Sequence, residues 1–159
     1  YECILFHMTD LPFGRGGSPL QNLIKNGYNQ TKISAFRVNN ELDAGPIYLK
    51  KDLLLQGNAR SIFNEASFII NEMIIEIIEN ELTPIPQNGK PTFFKRRVSK
   101  QSNIKGLNTI SEVYDHIRML DCEGYPKAFV EFENLRIEFD NAKLNKNNKI
   151  TANVRIMEK

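Results

Sequence analysis

The chain opens with an apolar run that leads directly into a histidine and a glycine-rich loop, and this opening limits the available folds more than any other segment. Residues 3–6 (CILF) are apolar without a break. Such a run is typical of a strand buried on both faces inside a parallel sheet. A strand of that kind needs neighbours, so we expect the chain to be a fragment that lacks an N-terminal part. His7 ends the strand, and residues 11–17 (LPFGRGG) form the loop.

The next segments alternate between helix and strand patterns. The predicted elements are a strand at 2–7, a helix at 19–25, strands at 31–38 and 47–55, and a helix at 58–82. The last helix repeats its apolar residues every three or four positions, which places them on one face. This order predicts an α/β unit whose helices connect parallel strands.

A proline-rich connector at 84–92 separates residues 1–83 from a second unit at 93–159. The second unit has a helix pattern at 111–120 and strand patterns at 128–132, 135–143 and 150–157. Asparagine-rich turns separate these strands, which predicts a small antiparallel β domain.

Composition excludes several classes of protein. The chain has 159 residues, 41% hydrophobic and 25% charged, which is typical of a globular domain with a real core. The formal net charge of +2 argues against a strongly basic nucleic-acid arm. Two cysteines cannot form a disulfide framework or a four-cysteine zinc site, and no apolar run is long enough to span a membrane. We therefore expect a cytoplasmic protein without a metal site or a membrane contact.

Basic residues are concentrated in the second unit. Residues 93–159 hold 13 basic and 9 acidic residues, and residues 95–97 (KRR) form a cluster together with Lys100. The cluster is interpreted either as a solvated turn or as a contact for the phosphates of a nucleotide or an RNA.

His7 and Asp43 are the candidate catalytic pair. His7 ends a buried strand beside a glycine loop, and Asp43 lies in the loop that follows another strand of the same unit. Ligands bind at such strand ends in open α/β sheets. A carboxylate beside an imidazole orients the ring and raises its basicity, which is the arrangement of a general base.

Two segments together resemble the folate-dependent formyltransferase family. They are HMTDLPFGRGGSP at 7–19 and LDAG at 42–45, which separate the histidine from the aspartate by 36 residues. FKRR at 94–97 and GYPKAF at 124–129 are similar to the small C-terminal domain of that family. The resemblance covers nearly the whole chain. It implies part of a Rossmann-like formyltransferase sheet followed by a small, barrel-like antiparallel β domain.

The resemblance implies transfer of a formyl group from 10-formyltetrahydrofolate to an amine. His7 would act as the base or, once protonated, stabilise the oxyanion, and Asp43 would support it and relay the proton. Arg15 would lie near the acceptor or serve in packing. The residues implied in binding the donor or the acceptor are Thr9, Arg15, Gly16, Gly17, Asn39, Asn40 and Leu42.

One position departs from the family pattern. The family has an asparagine two residues before the histidine, and this chain has Leu5 there. Leu5 and His7 share a face of the strand, and leucine cannot donate to an oxyanion. Either Thr9, Asn39 or Asn40 supplies the hydrogen bond, which we favour, or catalysis is impaired.

Three hypotheses for function follow. The favoured acceptor is the amino group of a nucleotide-linked amino sugar, because the loop at 9–17 is more similar to that branch. The second acceptor is methionyl-tRNA, which needs a broad basic surface. The third hypothesis is a degenerate domain without turnover. A homodimer is left open.

Two further residues are interpreted as structural. His116 is expected to be exposed on the polar side of its helix, and Cys3 is expected to pack in the core.

Overall fold

The computed structural model describes residues 2–159 as three small sheets packed with three α-helices. The elements in chain order are β1 (Ile4–His7), β2 (Arg15–Gly16), α1 (Pro19–Lys25), β3 (Gln30–Arg37), β4 (Ile47–Leu54), α2 (Ala59–Glu79), β5 (Phe93–Phe94), a 3₁₀ helix (Ser99–Ser102), α3 (Ile110–Arg118), β6 (Ala128–Phe132), β7 (Leu135–Leu144) and β8 (Ile150–Glu158). Within this part of the chain no helix combines the length and the apolarity needed to cross a bilayer.

The first sheet has the strand order β1-β3-β4, and both of its pairings are antiparallel. The prediction of parallel strands was therefore wrong for the strands described here. The connection between β1 and β3 runs through the glycine loop, which is held by contacts with β5 and Asp43, and through α1, which has seven residues and is about 10 Å long. Neither segment carries the chain back along the sheet to the start of β1. The chain therefore reverses its direction into β3, and His7 pairs with Ser34.

Helix α2 covers one face of this sheet. Asn58 caps the helix by accepting a hydrogen bond from the Ser61 backbone N–H. The residues that α2 buries repeat at helical spacing, and they are Ala59, Ile62, Ala66, Met73 and Ile77. They share one apolar core with residues of α1, β3, β4 and the end of α3. Burial of this stripe stabilises the helix, as its apolar periodicity predicted.

Strand β1 is covered on one face only. Ile4 and Phe6 pack against the core, whereas Leu5 is 49% exposed and Cys3 is also exposed. The predictions of a strand buried on both faces and of a core cysteine were wrong. The helices pack against the face of the sheet that carries Ile4 and Phe6, and the face that carries Cys3 and Leu5 is left uncovered. The alternation does place Leu5 on the face of His7, as predicted.

The C-terminal sheet is an antiparallel meander with the order β6-β7-β8. Helix α3 packs against β7 and begins with a capping box, in which the Thr109 hydroxyl and the Glu112 carboxylate satisfy each other's backbone N–H groups. The predicted antiparallel unit is confirmed, and barrel-like closure stays a prediction.

The proline-rich connector runs along the first sheet. Ile85 forms a β-bridge with Ile47, and β5 pairs in parallel with β2. These contacts bring residues 85–94 close to the glycine loop. The division of the chain into domains at 84–92 stays a prediction.

Candidate functional site

Two chain segments place His7 and Asp43 together. His7 is the last residue of β1, and Asp43 lies in the loop between β3 and β4. His7 Nδ1 is 3.9 Å from Asp43 Oδ2, and the two side chains are 11% and 13% exposed. The structure thus brings together the two residues that the sequence paired, in a partly desolvated position where electrostatic coupling is stronger than at the surface.

The second nitrogen of His7 fixes the state of the ring. Nε2 is 2.9 Å from the carbonyl oxygen of Gly14. A carbonyl oxygen only accepts hydrogen bonds. In the neutral ring, Nε2 therefore carries the proton and donates a hydrogen bond to the Gly14 carbonyl oxygen. Nδ1 is therefore the basic nitrogen, and it faces Asp43.

Asp43 is held from the opposite side by the glycine loop. Its Oδ2 accepts a hydrogen bond of 2.7 Å from the Gly16 backbone N–H. Gly16 has φ +101°, and a Cβ at this position would collide with the carbonyl oxygen of Phe94. Only glycine allows the loop to pass this close to β5 and still direct its N–H at Asp43.

A glutamine from the connector links this loop to Arg15. Gln87 Oε1 accepts from Arg15 Nε at 3.3 Å and from Arg15 Nη2 at 2.7 Å. Gln87 Nε2 donates to the carbonyl oxygens of Asp43 at 2.8 Å and Gly45 at 2.9 Å. No sequence pattern indicates this residue, because its partners lie 42 to 72 positions away.

A second connector residue supports the glycine loop. The hydroxyl of Thr92 accepts from the Gly14 backbone N–H at 2.8 Å, and its carbonyl accepts from the Arg15 N–H at 3.0 Å. This pairing fixes Gly14, whose carbonyl oxygen accepts the hydrogen bond from His7 Nε2–H.

The other predicted binding residues divide into two groups. Thr9 is fully buried, and its hydroxyl lies 3.5 Å from the Gly14 carbonyl. Asn39, Asn40 and Leu42 are exposed in the β3–β4 loop that carries Asp43. Asn39 Oδ1 accepts from the Glu41 N–H at 3.0 Å and so shapes the loop. Thr9 therefore supports the site from inside, and the loop residues form its rim.

The basic cluster begins beside the glycine loop. The Gly17 N–H donates to Phe94 O at 3.1 Å, and a Cβ at Gly17 would lie 2.6 Å from Arg96 Cβ. Arg96 and Lys95 are exposed and line the surface next to the loop. Arg97 is partly buried, donates to Gln101 O at 2.7 Å, and burial lowers its pKa. The cluster thus combines exposed cations with one arginine that serves the local fold.

Ser18 and His116 both lie beside the segment that contains Arg97. Ser18 precedes α1, but its hydroxyl accepts from the Arg97 N–H at 3.0 Å and does not cap the helix. His116 was expected at the surface and is only 7% exposed, because its side of α3 faces the segment around Gln101. Burial, together with the charge of Arg97, lowers the pKa of His116 to about 4. The ring is therefore neutral at pH 7.

No group of three or more His, Cys, Asp or Glu side chains suited to a metal ion occurs within residues 2–159. The His7–Asp43 pair offers an imidazole and a carboxylate, and the loop beside it offers backbone N–H and C=O groups.

The chain is similar to known proteins in both sequence and fold. Residues 99–157 match the family model of the C-terminal domain of methionyl-tRNA formyltransferase. A methionyl-tRNA formyltransferase from Clostridium thermocellum has the same fold, with a TM-score of 0.97 and 51% identity over 100% of this chain and 70% of that one. The chain therefore belongs to the formyltransferase family that includes methionyl-tRNA formyltransferase.

More distant relatives extend the comparison. The methionyl-tRNA formyltransferase of Mesoplasma florum is 32% identical over 86% of this chain and 46% of its own length. The chain thus spans about half the length of the curated relatives that it matches. A likely sugar N-formyltransferase from Mycobacterium tuberculosis shares the fold, with a TM-score of 0.68 and 14% identity over 95% of this chain and 63% of that one.

Proposed function

We propose that this chain carries the catalytic pair of an enzyme that transfers the formyl group of 10-formyltetrahydrofolate to the amino group of methionyl-tRNA. The observation that carries the proposal is the His7–Asp43 pair, held at 3.9 Å with the basic nitrogen of the ring directed at the carboxylate. Membership of the formyltransferase family supports the same chemistry.

The proposed reaction needs one base and no metal. The amine lone pair attacks the formyl carbon, an oxyanion develops, and the bond from that carbon to N10 of the folate then breaks. The amine loses one proton to His7 Nδ1, and N10 gains one when tetrahydrofolate leaves. Asp43 stabilises the imidazolium that forms between these two steps. His7 Nε2–H already donates a hydrogen bond to the Gly14 carbonyl oxygen and is not free to donate to an oxyanion. The geometry therefore favours the base role of His7 over direct stabilisation of the oxyanion.

The folate donor would bind against the β3–β4 loop. Residues 39–42 are exposed, and Leu42 offers an apolar side chain that is 64% exposed. Exposed asparagine side chains beside an apolar side chain suit a flat, polar-edged ring such as a pterin. These residues are the proposed donor-binding residues, with Arg15 and the glycines on the acceptor side.

The acceptor is the point at which this proposal departs from the sequence hypothesis. The loop at 9–17 favoured a nucleotide-linked amino sugar, whereas the 51% identical structure is a methionyl-tRNA formyltransferase. The exposed Lys95 and Arg96 beside Gly17 suit a phosphate of either acceptor. The low net charge of +2 favours the small nucleotide sugar and keeps it as the second candidate.

One transfer assay tests both candidates. The full chain is supplied with 10-formyltetrahydrofolate and either methionyl-tRNA or a nucleotide-linked amino sugar. We expect formyl-methionyl-tRNA as the product. The KM for the RNA should rise steeply with the salt concentration, because salt makes the release of counterions on RNA binding less favourable. His7→Ala and Asp43→Asn should each lower kcat by about 100-fold or more. Asp52→Asn is the matched control, because that carboxylate is 83% exposed on β4.

Each outcome decides a separate point. Formylated sugar without formylated tRNA would replace the acceptor and leave the transfer reaction intact. Turnover in His7→Ala at the wild-type rate would overturn the catalytic pair. Absence of transfer to both acceptors, together with no binding of 5-formyltetrahydrofolate in calorimetry, would favour the degenerate domain.

The effect of Leu5 on catalysis is tested separately in the same transfer assay. Because we favour a donor elsewhere for the oxyanion, Leu5→Asn should change kcat by less than about tenfold. A single oxyanion donor contributes about 100- to 1000-fold. A rise of that size would show that Leu5 leaves the oxyanion without a partner.

A further inference from the structure

We propose that Gln87 is a positioning residue that holds the Asp43 loop and the Arg15 side chain in one fixed arrangement. This inference rests on the proposed function for its kinetic consequences, whereas its structural consequence can be measured without turnover.

The chemistry of the partners determines the orientation of the Gln87 amide. A guanidinium only donates, so the group facing Arg15 is the oxygen. The carbonyl oxygens of Asp43 and Gly45 only accept, so the group facing them is the NH₂. All four hydrogen bonds that a glutamine side chain can make are used, and no flipped orientation would satisfy them.

The two NH₂ hydrogen bonds fix the backbone on both sides of Ala44. Asp43 has φ +50°, a conformation that non-glycine residues rarely adopt, and an added Cβ at Gly45 would collide with the carbonyl of Arg37. The turn is therefore tight, and Gln87 clamps it from the connector. The clamp sets where the Asp43 carboxylate lies between the Gly16 N–H and His7 Nδ1.

The Oε1 hydrogen bonds restrain the other side of the site. Arg15 belongs to β2, directly before the Gly16 N–H that binds Asp43. Gln87 thus joins the two segments whose separation determines the Gly16–Asp43 hydrogen bond. A shift of about 1 Å at such a place can cost about 100-fold in rate.

Two substitutions separate the two halves of the clamp. Gln87→Glu keeps acceptors for Arg15 but cannot donate to Asp43 and Gly45. Gln87→Met has the same length and loses both halves. The matched control is Gln56→Met, at an exposed glutamine in the loop after β4. All are made in the full chain and compared in the formyl transfer assay and in amide hydrogen exchange of Gly16.

We expect both Gln87 variants to lower kcat by about 10- to 100-fold, with the KM of the folate donor within about threefold of the wild type. The Gly16 amide should exchange about 10-fold faster in both variants, the effect of one weakened hydrogen bond on local opening. Gln56→Met should match the wild type in both measurements.

The outcomes that overturn the inference are distinct from those that overturn the function. Wild-type kcat and wild-type Gly16 exchange in both Gln87 variants would refute the positioning role. Loss of kcat in Gln87→Met alone would restrict the role to Arg15 and refute the clamp on Asp43. A lowered melting temperature with unchanged Gly16 exchange would mean a structural role only. If the wild type transfers no formyl group, the proposed function fails, and the exchange rates still decide the role of Gln87.

Discussion

Replacing Asp121 with asparagine is expected to destabilise the protein by about 2 kcal/mol at pH 7. Asp121 is 8% exposed and follows α3, where its carboxylate binds residues of three other segments. Oδ2 accepts from Asn58 Nδ2 at 2.9 Å and from the Asn141 N–H at 3.0 Å, and Oδ1 accepts from Lys127 Nζ at 3.1 Å. The side chain therefore connects the cap of α2 to the C-terminal sheet.

The magnitude follows from the hydrogen bonds that asparagine can keep. Its single oxygen can replace Oδ2 and retain both Asn58 and Asn141, but its NH₂ then faces the Lys127 ammonium. One charge-assisted hydrogen bond is lost, which costs about 1.5–3 kcal/mol. In a domain of this size, 2 kcal/mol corresponds to a fall in melting temperature of about 4–8 °C.

The pH dependence gives a second signature. Burial by itself raises the pKa of Asp121, but the hydrogen bonds from Lys127, Asn58 and the Asn141 N–H outweigh it and lower the pKa below 3.8. A carboxyl group with a lowered pKa in the folded state stabilises the protein above its unfolded pKa. That stability is lost as the pH falls through the folded value. The difference between wild type and Asp121→Asn should therefore be constant from pH 7 to 5 and shrink below about pH 4.

Urea denaturation at several pH values measures this difference. Asp52→Asn is the control, because its exposed pair with Lys32 should contribute less than about 1 kcal/mol. If Asp121→Asn costs no more than this control at pH 7, the carboxylate does not hold the three segments together. A cost that stays constant down to pH 3 would refute its assignment to the charged form.

Two further predictions concern single residues. The pKa of His116 is lowered to about 4. Between pH 6.5 and 4 the unfolded state therefore binds a proton that the folded state does not bind. The free energy of unfolding should fall by on the order of 3 kcal/mol as the pH is lowered through this range. His116→Leu should flatten this part of the urea-denaturation profile, and an equally steep profile would contradict it. Gly16→Ala should lower the free energy of unfolding by about 1–3 kcal/mol, because the residue keeps a positive φ and its Cβ meets the Phe94 carbonyl. A melting temperature equal to that of the wild type would refute the close approach of the loop to β5.

The helices and strands were predictable where the pattern is local. Helix α2 was expected at 58–82 and occupies Ala59–Glu79, since its apolar stripe repeats at helical spacing. The three C-terminal strands were placed within about two residues, because alternation and asparagine turns are both short-range signals.

The burial of the first strand and of His116 was not predictable in the same way. An apolar run such as residues 3–6 does not distinguish a strand with two buried faces from one with a single buried face. The exposure of Leu5 follows from the side on which α2 packs, which is a property of the whole fold. The burial of His116 has the same origin, since the polar side of α3 faces another segment instead of solvent.

The same difference between local and long-range signals applies to the site. The pairing of His7 with Asp43 was expected from the glycine loop and the LDAG segment, and the distance of 3.9 Å confirms that the two meet. The residues that support them were missed. Thr92 reaches Gly14 across 78 positions and Gln87 reaches Asp43 across 44, and no local pattern marks a partner so far away.

These long-range contacts explain why a connector without helices or long strands matters for the site. Thr92 accepts from Gly14, the Thr92 N–H donates to Pro12 O at 3.2 Å, and β5 then pairs with β2. The glycine loop thus obtains partners for its Gly14, Arg15 and Gly17 N–H groups from residues that follow α2. Without them, the loop's N–H and C=O groups would turn to water, and neither the Gly14 carbonyl nor the Gly16 N–H would keep its direction. His7 and Asp43 come from residues 1–83, but the geometry between them is fixed by residues 87–94.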